Sequence, residues 1–229
     1  CDIAAVERHI DVINSNPHLF AGNVGDTTNN WVGRLARLYA EQTSSAAEGW
    51  ALAEWFFRSM DWLFILGGNH DVWSGAGDPL RWMQRNSWGV QEDHGCRLAL
   101  RSPGGREIRV NARHDFHGHS MWNAAHGPMK AAQMGWRDHL LVCGHKHVTG
   151  QGVLKCPATG LISHAVRVAT FKTVDRYADE LNLPDLNVSP SATAIIDPSR
   201  ADDDPGCVTI IHDVEVASEF LTFKRGEDG

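Results

Sequence analysis

Nowhere in these 229 residues does an apolar run approach the ~20 that a membrane-spanning helix requires, and no basic-then-apolar leader opens the chain. Those absences lead to the expectation of a cytoplasmic protein with no membrane partner. Paired cysteines are lacking too. Cys1, Cys96, Cys143, Cys156 and Cys207 are scattered with no CxxC spacing, which disfavours a structural zinc module and predicts reduced thiols in a cytosolic compartment, with a disulfide left open. Positive charge is not in excess: 28 acidic against 21 basic residues give a net −7, which argues against a surface coated for nucleic acid. Neither an internal repeat nor a linker interrupts the chain. What remains is 42% hydrophobic and 21% charged, the composition of an ordinary globular protein with one substantial core, so a single domain is expected over residues 1–229. Histidine is abundant, with 13 in all. His114, His117, His119, His126, His139, His145 and His147 fall within one stretch.

Ile3, Val6, Ile10 and Ile13 recur at helical spacing and predict a helix from residue 3 to about 14. Leu19-Phe20-Ala21 leads a short strand, 19–24, into Gly25-Asp26. From Trp31 to about Met60 the pattern is helical again, split into two helices near Thr43-Ser44-Ser45 because Ser and Thr favour caps. Trp62 to Leu66 reads as a buried strand. Cys96 to Arg101, the turn Ser102 to Gly105, and Arg106 to Ala112 read as a hairpin, with Ile108, Val110 and Ala112 inward and Arg109, Asn111 and Arg113 outward. A helix near Trp122 to Met134 precedes a strand at Leu140 to Cys143. Ala165 to Phe171, Ala192 to Ile196 and Val208 to Ile211 are short β-branched runs. Helices alternating with strands, then a strand-rich end, predict a layered α/β domain.

Two motifs carry the chemistry, each directly after a buried strand: Gly68-Asn69-His70-Asp71 and Gly144-His145-Lys146-His147. In extended backbone, side chains at i and i+2 point the same way, so His145 and His147 converge on a metal while Lys146 points away; two solvated loop histidines are the alternative. The Asn69 amide oxygen is a hard ligand for a divalent ion. His70 beside it suits protonation of a leaving group, with Asp71 to orient the ring and raise its pKa; a plain turn with a polar tail is the alternative. Asp26 occupies the place of a carboxylate shared between two cations ~3.5–4 Å apart.

This series, Gly25-Asp26, then GNHD, then a strand-ending histidine, then GHKH, resembles the calcineurin-like metallophosphoesterases from about residue 20 to 150. The resemblance implies a four-layer αββα sandwich of two mixed sheets, a dinuclear metal centre and phosphoester hydrolysis. Asp26 would bridge the ions, Asn69 and His145 would serve one metal and His147 the other, and His70 would assist the leaving group. His114, which follows the second hairpin strand, is the choice for the metal of Asn69 and His145; His117 and His119 are fallbacks. The family opens on a strand ending in Asp-x-His, which this chain lacks, since Cys1-Asp2-Ile3 already begins a helix. A fragment without its first strand is expected, or else a degenerate member, and in either case a weak second metal site. Carboxylate, amide and imidazole ligands suit two divalent ions of Mn²⁺, Fe or Zn²⁺, with Mn²⁺ implied on family grounds.

From Arg81 to Arg113 seven arginines face three acids, Glu92, Asp93 and Glu107. A nucleotide or nucleic acid could approach there, or the arginines form a solvated, salt-bridged face. Arg113 and Trp73 are the candidates for substrate binding. The expectation is therefore a metal-dependent hydrolase of phosphoesters, with a non-catalytic binding or assembly protein on the same fold as the alternative.

Overall fold

Asp2 starts the first helix. Its carboxylate accepts from the Ala5 N–H at 3.0 Å, satisfying an orphan donor at the start of α1 (Ile3–Ser15), and Val6 and Ile10 form its buried stripe. In this computed structural model, which describes residues 1–29, 44–71, 89–173 and 185–226, α1 is followed by β1 (Ala21–Asn23), α2 (Ala46–Arg58), β2 (Trp62–Leu66) and β3 (Val90–Glu92). The helix α2 begins with a capping box: the Ser45 hydroxyl accepts from the Glu48 N–H while the Glu48 carboxylate accepts from the Ser45 N–H. The helix expected before it, with Trp31, lies outside the described residues, as do Trp73, Arg81 and Arg85.

The strands β1, β2 and β3 pair in parallel in that order. The expected hairpin is β4 (Gly95–Arg101) and β5 (Glu107–Arg113). With β6 (Leu140–Cys143), β7 (Gly150–Lys155) and β8 (Ile162–Arg167) it forms a five-stranded sheet in the order β4-β5-β6-β8-β7. There β5, β6 and β8 are parallel neighbours and the two outer strands run antiparallel. A separate antiparallel pair comprises β9 (Thr193–Ile196) and β10 (Val208–Ile211). The helix α3 (His126–Met134) lies between β5 and β6, and α4 (Val214–Gly226) follows β10.

Alternation along β5 buries Ile108, Val110 and Ala112 as expected. Phe64 and Leu66 of β2 pack on Cys96 and Ala112 of the hairpin, while Ile108 packs on Val208 of β10. Trp62 and Ile65 meet Ala53 and Phe57 of α2, and Leu141 and Cys143 meet Ala132 of α3. Each such apolar side chain contributes ~1.5–3 kcal/mol by leaving water.

The four-layer αββα sandwich of two mixed sheets is corrected by this topology. Among the described residues only the five-stranded sheet is mixed. The sheet of β1 to β3 is wholly parallel and, among the described residues, is not hydrogen-bonded to the β9–β10 pair, so a second mixed sheet does not form. The strands instead follow a β-solenoid course of about 3 turns.

Smaller corrections have local causes. The strand expected over 19–24 is confined to Ala21–Asn23, and Phe20 is left exposed. The helix expected from 122 starts at His126: the Asn123 side chain accepts from the Ala125 N–H at 2.9 Å, making a turn first, and Pro128 sits in the first turn, where a missing N–H costs nothing. Asn111 is buried rather than outward, because its register neighbour Leu141 packs beneath α3 and that face is covered too. All five cysteines are free. Among the described residues no helix is long and apolar enough to cross a membrane.

Candidate metal centre

Parallel neighbours deliver the site's loops from the carboxyl ends of their strands, the usual place for a ligand crevice in α/β sheets. From β1 and β2 come Gly25-Asp26 and Gly68-Asn69-His70-Asp71; from β5 and β6 come His114 and Gly144-His145. The first two loops interlock closely. A Cβ on Gly68 would stand 2.0 Å from Asp26 Oδ1, and Gly25, at φ 98°, backs onto the Gly68 nitrogen, so only glycine admits this approach. The His70 N–H donates to Asp26 Oδ1 at 2.9 Å. Asp71 Oδ2 accepts from the Asp26 N–H at 2.6 Å and from the Gly68 N–H at 2.8 Å.

Four acceptor atoms converge. His114 Nε2 lies 2.9 Å from Asn69 Oδ1, 3.0 Å from His145 Nδ1 and 3.3 Å from Asp26 Oδ2; His145 Nδ1 is 3.9 Å from Asp26 Oδ2. Asp26, His114 and His145 each offer a ligand atom, all within 4.8 Å of one another. The other nitrogen of His114, Nδ1, is 2.8 Å from the Val24 carbonyl. A carbonyl can only accept, so Nδ1 carries the hydrogen and the neutral ring turns its Nε2 lone pair toward the amide oxygen. A proton or a metal ion can sit between atoms this close, and a locked Nδ1–H is one way in which proteins orient a metal-binding imidazole. The donor set fits a divalent ion.

A proton shared between His114 and Asp26 is the alternative occupant of this cluster. Burial alone would raise the Asp26 pKa, but hydrogen bonds from His114 and His145 outweigh it and hold the carboxylate well below its usual range. Burial opposes a charged His114, yet the hydrogen bond with Asp26 raises its pKa. Burial lowers the His70 pKa against the opposing pull of the Asp26 carboxylate. Asp71, wholly buried, is pushed up to about 6 by desolvation.

Backbone conformation marks the same residues. Asp26 (φ 59°), His145 (φ 69°) and His147 (φ 53°) are the non-glycine residues with positive φ among those described, a region that costs an L-residue ~1–2 kcal/mol. Such outliers cluster at functional sites. They also correct the extended GHKH loop expected from the sequence. Lys146, between the two histidines, turns to partners outside the cluster: its Nζ donates to the Gly118 carbonyl at 2.9 Å and stands 3.9 Å from Asp115 Oδ2. His147 is outside the close cluster and lines an open cleft of ≈ 1140 Å³ together with Lys146, Lys172, His9 and His212.

The remaining candidates fall elsewhere. Asp71 clamps the backbone of two loops, and the carboxylate acting on the His70 ring is Asp26, which corrects the expectation that Asp71 raises the pKa of that ring. His117 and His119 are exposed and outside the cluster. His139 is a core histidine, accepting from the Arg109 N–H at 3.1 Å and meeting Asp202 at 3.1 Å. Arg113 is exposed. Arg97 and Arg109 grip the buried Asp138 at 2.7 and 3.3 Å, Arg101 pairs with Glu107, and Arg106 with Asp202; this is the salt-bridged alternative for the arginine-rich hairpin. One residue had no signal in the sequence. Arg167, at the end of a β-branched run, is wholly buried behind the His114 and His145 loops.

Comparison with protein-family models, with curated proteins and with solved structures returns no match to this chain.

Proposed function

We propose that this protein is a metal-dependent hydrolase of phosphoester bonds. The observation that carries the reading is the convergence of Asn69 Oδ1, His114 Nε2, His145 Nδ1 and Asp26 Oδ2, four atoms that can each present a lone pair to one cation. Those four atoms would hold one divalent ion, Mn²⁺ in the first instance, with Fe or Zn²⁺ as chemically allowed substitutes. A second would rest on Asp26 and His147 and bind more weakly. Ions there would supply Lewis-acid polarisation of a phosphoryl oxygen and an activated water.

The chain's own residues do the rest. Asp71 and the two glycines fix the loop that carries Asp26, and the His70 N–H holds its carboxylate. Lys172 and His147 line an open cleft with Arg8 and with four acids, Asp2, Asp185, Asp213 and Glu215, and a phosphodiester or nucleotide is the substrate class proposed over a phosphoprotein. His70 lies where Asp26, His114, His145 and Lys172 all act on it. From that position it would pass a proton to the departing oxygen. Because Arg97, Arg101, Arg106 and Arg109 of the hairpin are paired with carboxylates, approach of a nucleic acid over that face has no support.

The test is metal analysis after loading with Mn²⁺ and desalting, together with turnover of a chromogenic phosphodiester with and without Mn²⁺. His70→Ala should cut turnover by ~10²–10⁴ and leave metal content unchanged. A fall in metal content would refute the proton-donor role. A wild-type chain that holds no Mn²⁺ and hydrolyses nothing would be a binding or assembly protein instead.

A further inference from the structure

Arg167 closes β8, and its guanidinium is fully buried. Its Nε donates to the Ala124 carbonyl at 2.9 Å and its Nη1 to the Gly144 carbonyl. Its Nη2 stands 2.9 Å from Asp115 Oδ1, an ion pair that lacks hydrogen-bond alignment. Gly127 leaves room for it: a Cβ there would lie 3.1 Å from Nη2 and 2.4 Å from the Phe116 carbonyl oxygen. Two of these three contacts fall one residue from a proposed ligand, Asp115 after His114 and Gly144 before His145. The same two loops are stitched directly, the Gly144 N–H donating to the His114 carbonyl at 3.1 Å. Asp115 is also approached by Lys146 from within the GHKH loop.

We propose that Arg167 and Asp115 form a brace that sets the separation of the His114 and His145 rings, making Arg167 a positioning residue for the metal centre. A planar fork with donors on three sides can hold two carbonyls and a carboxylate at once; an ammonium cannot reproduce that geometry. The 3.0 Å spacing of His114 Nε2 and His145 Nδ1 depends on where the chain leaves β5 and β6, and the guanidinium spans both exits. An arginine that merely stabilised the fold would have no reason to concentrate its contacts there. The proposal rests on the metal-site reading above.

Its test compares wild type with Arg167→Lys, Arg167→Met and Asp115→Asn, using Mn²⁺ as the titrant and, separately, the visible absorption of bound Co²⁺ as a report of ligand geometry. Urea unfolding of the metal-free proteins gives the folded fraction in each case. The expected result is Mn²⁺ affinity reduced about 10–100-fold in the folded fraction, the range for residues that orient metal ligands. The Co²⁺ band should change shape, and Lys should recover only part of the loss seen with Met. If Arg167→Met fails to fold, Asp115→Asn, which keeps the guanidinium and both carbonyl contacts, decides the matter. Variants that fold and bind Mn²⁺ within about twofold of wild type, with an unchanged Co²⁺ band, overturn the brace while leaving the metal reading intact. Wild type that binds neither ion overturns both.

Discussion

His114 and His164 show opposite uses of a buried imidazole. The first gives one nitrogen to a carbonyl and keeps the other bare for a ligand. The second, on β8, is nearly as buried, and burial, with His139 nearby, lowers its pKa below the usual 6.5. The unfolded chain therefore takes up a proton at His164 before the folded one does. The stability contributed by its neutral form is complete above about 6.5 and is lost as the pH falls from there through the lower value of the folded chain. Urea midpoints of metal-free protein should drop more steeply below that pH in wild type than in His164→Gln; parallel pH profiles would show that other groups govern the loss. At this scale the sequence was legible where residues that meet in space lie in motifs, as at Asp26, Asn69 and His145. It was illegible at Arg167 and Lys146, whose directions are set by partners far along the chain.

Elements were legible where composition and boundaries agree. The strands β2 and β6 were recoverable to the residue because apolar runs end at glycine, and α2 because Ser45 and Glu48 stand three apart as a capping box requires. Replacing Ser45 by Ala should cost about 1 kcal/mol without altering Mn²⁺ affinity, read from urea midpoints and metal titration side by side; a fall in affinity would tie α2 to the site. By contrast Val90-Gln91-Glu92 carries no strand signal. It is a strand only because β2 offers a parallel edge, with the Gly67 N–H donating to the Glu92 carbonyl at 2.9 Å. Segment β7, half glycine and polar, likewise owes its state to β8. Tertiary pairing decides such segments, and local propensity does not reach it.

For the molecule as a whole, sequence alternation announced an α/β protein but not how its strands would be shared among sheets. Which strand lies at an edge depends on hydrogen bonds between distant segments, such as β6 with β8, and periodicity is blind to them. The core and the site nonetheless share elements, since Phe64 and Leu66 of β2 sit in the contact that sets β2 against the hairpin. Binding at the strand ends should therefore stabilise the whole fold. Mn²⁺ at 100 times its dissociation constant should raise unfolding stability by about 2.7 kcal/mol, visible as a higher melting temperature that a chelator reverses. An unchanged melting temperature at saturating Mn²⁺ would mean that no ion binds the folded state.

Asp26, His145 and His147 hold a backbone twist that suits glycine better than themselves. His147→Gly should firm up the metal-free protein by about 1 kcal/mol while weakening its grip on a second cation, two opposite readings from one substitution.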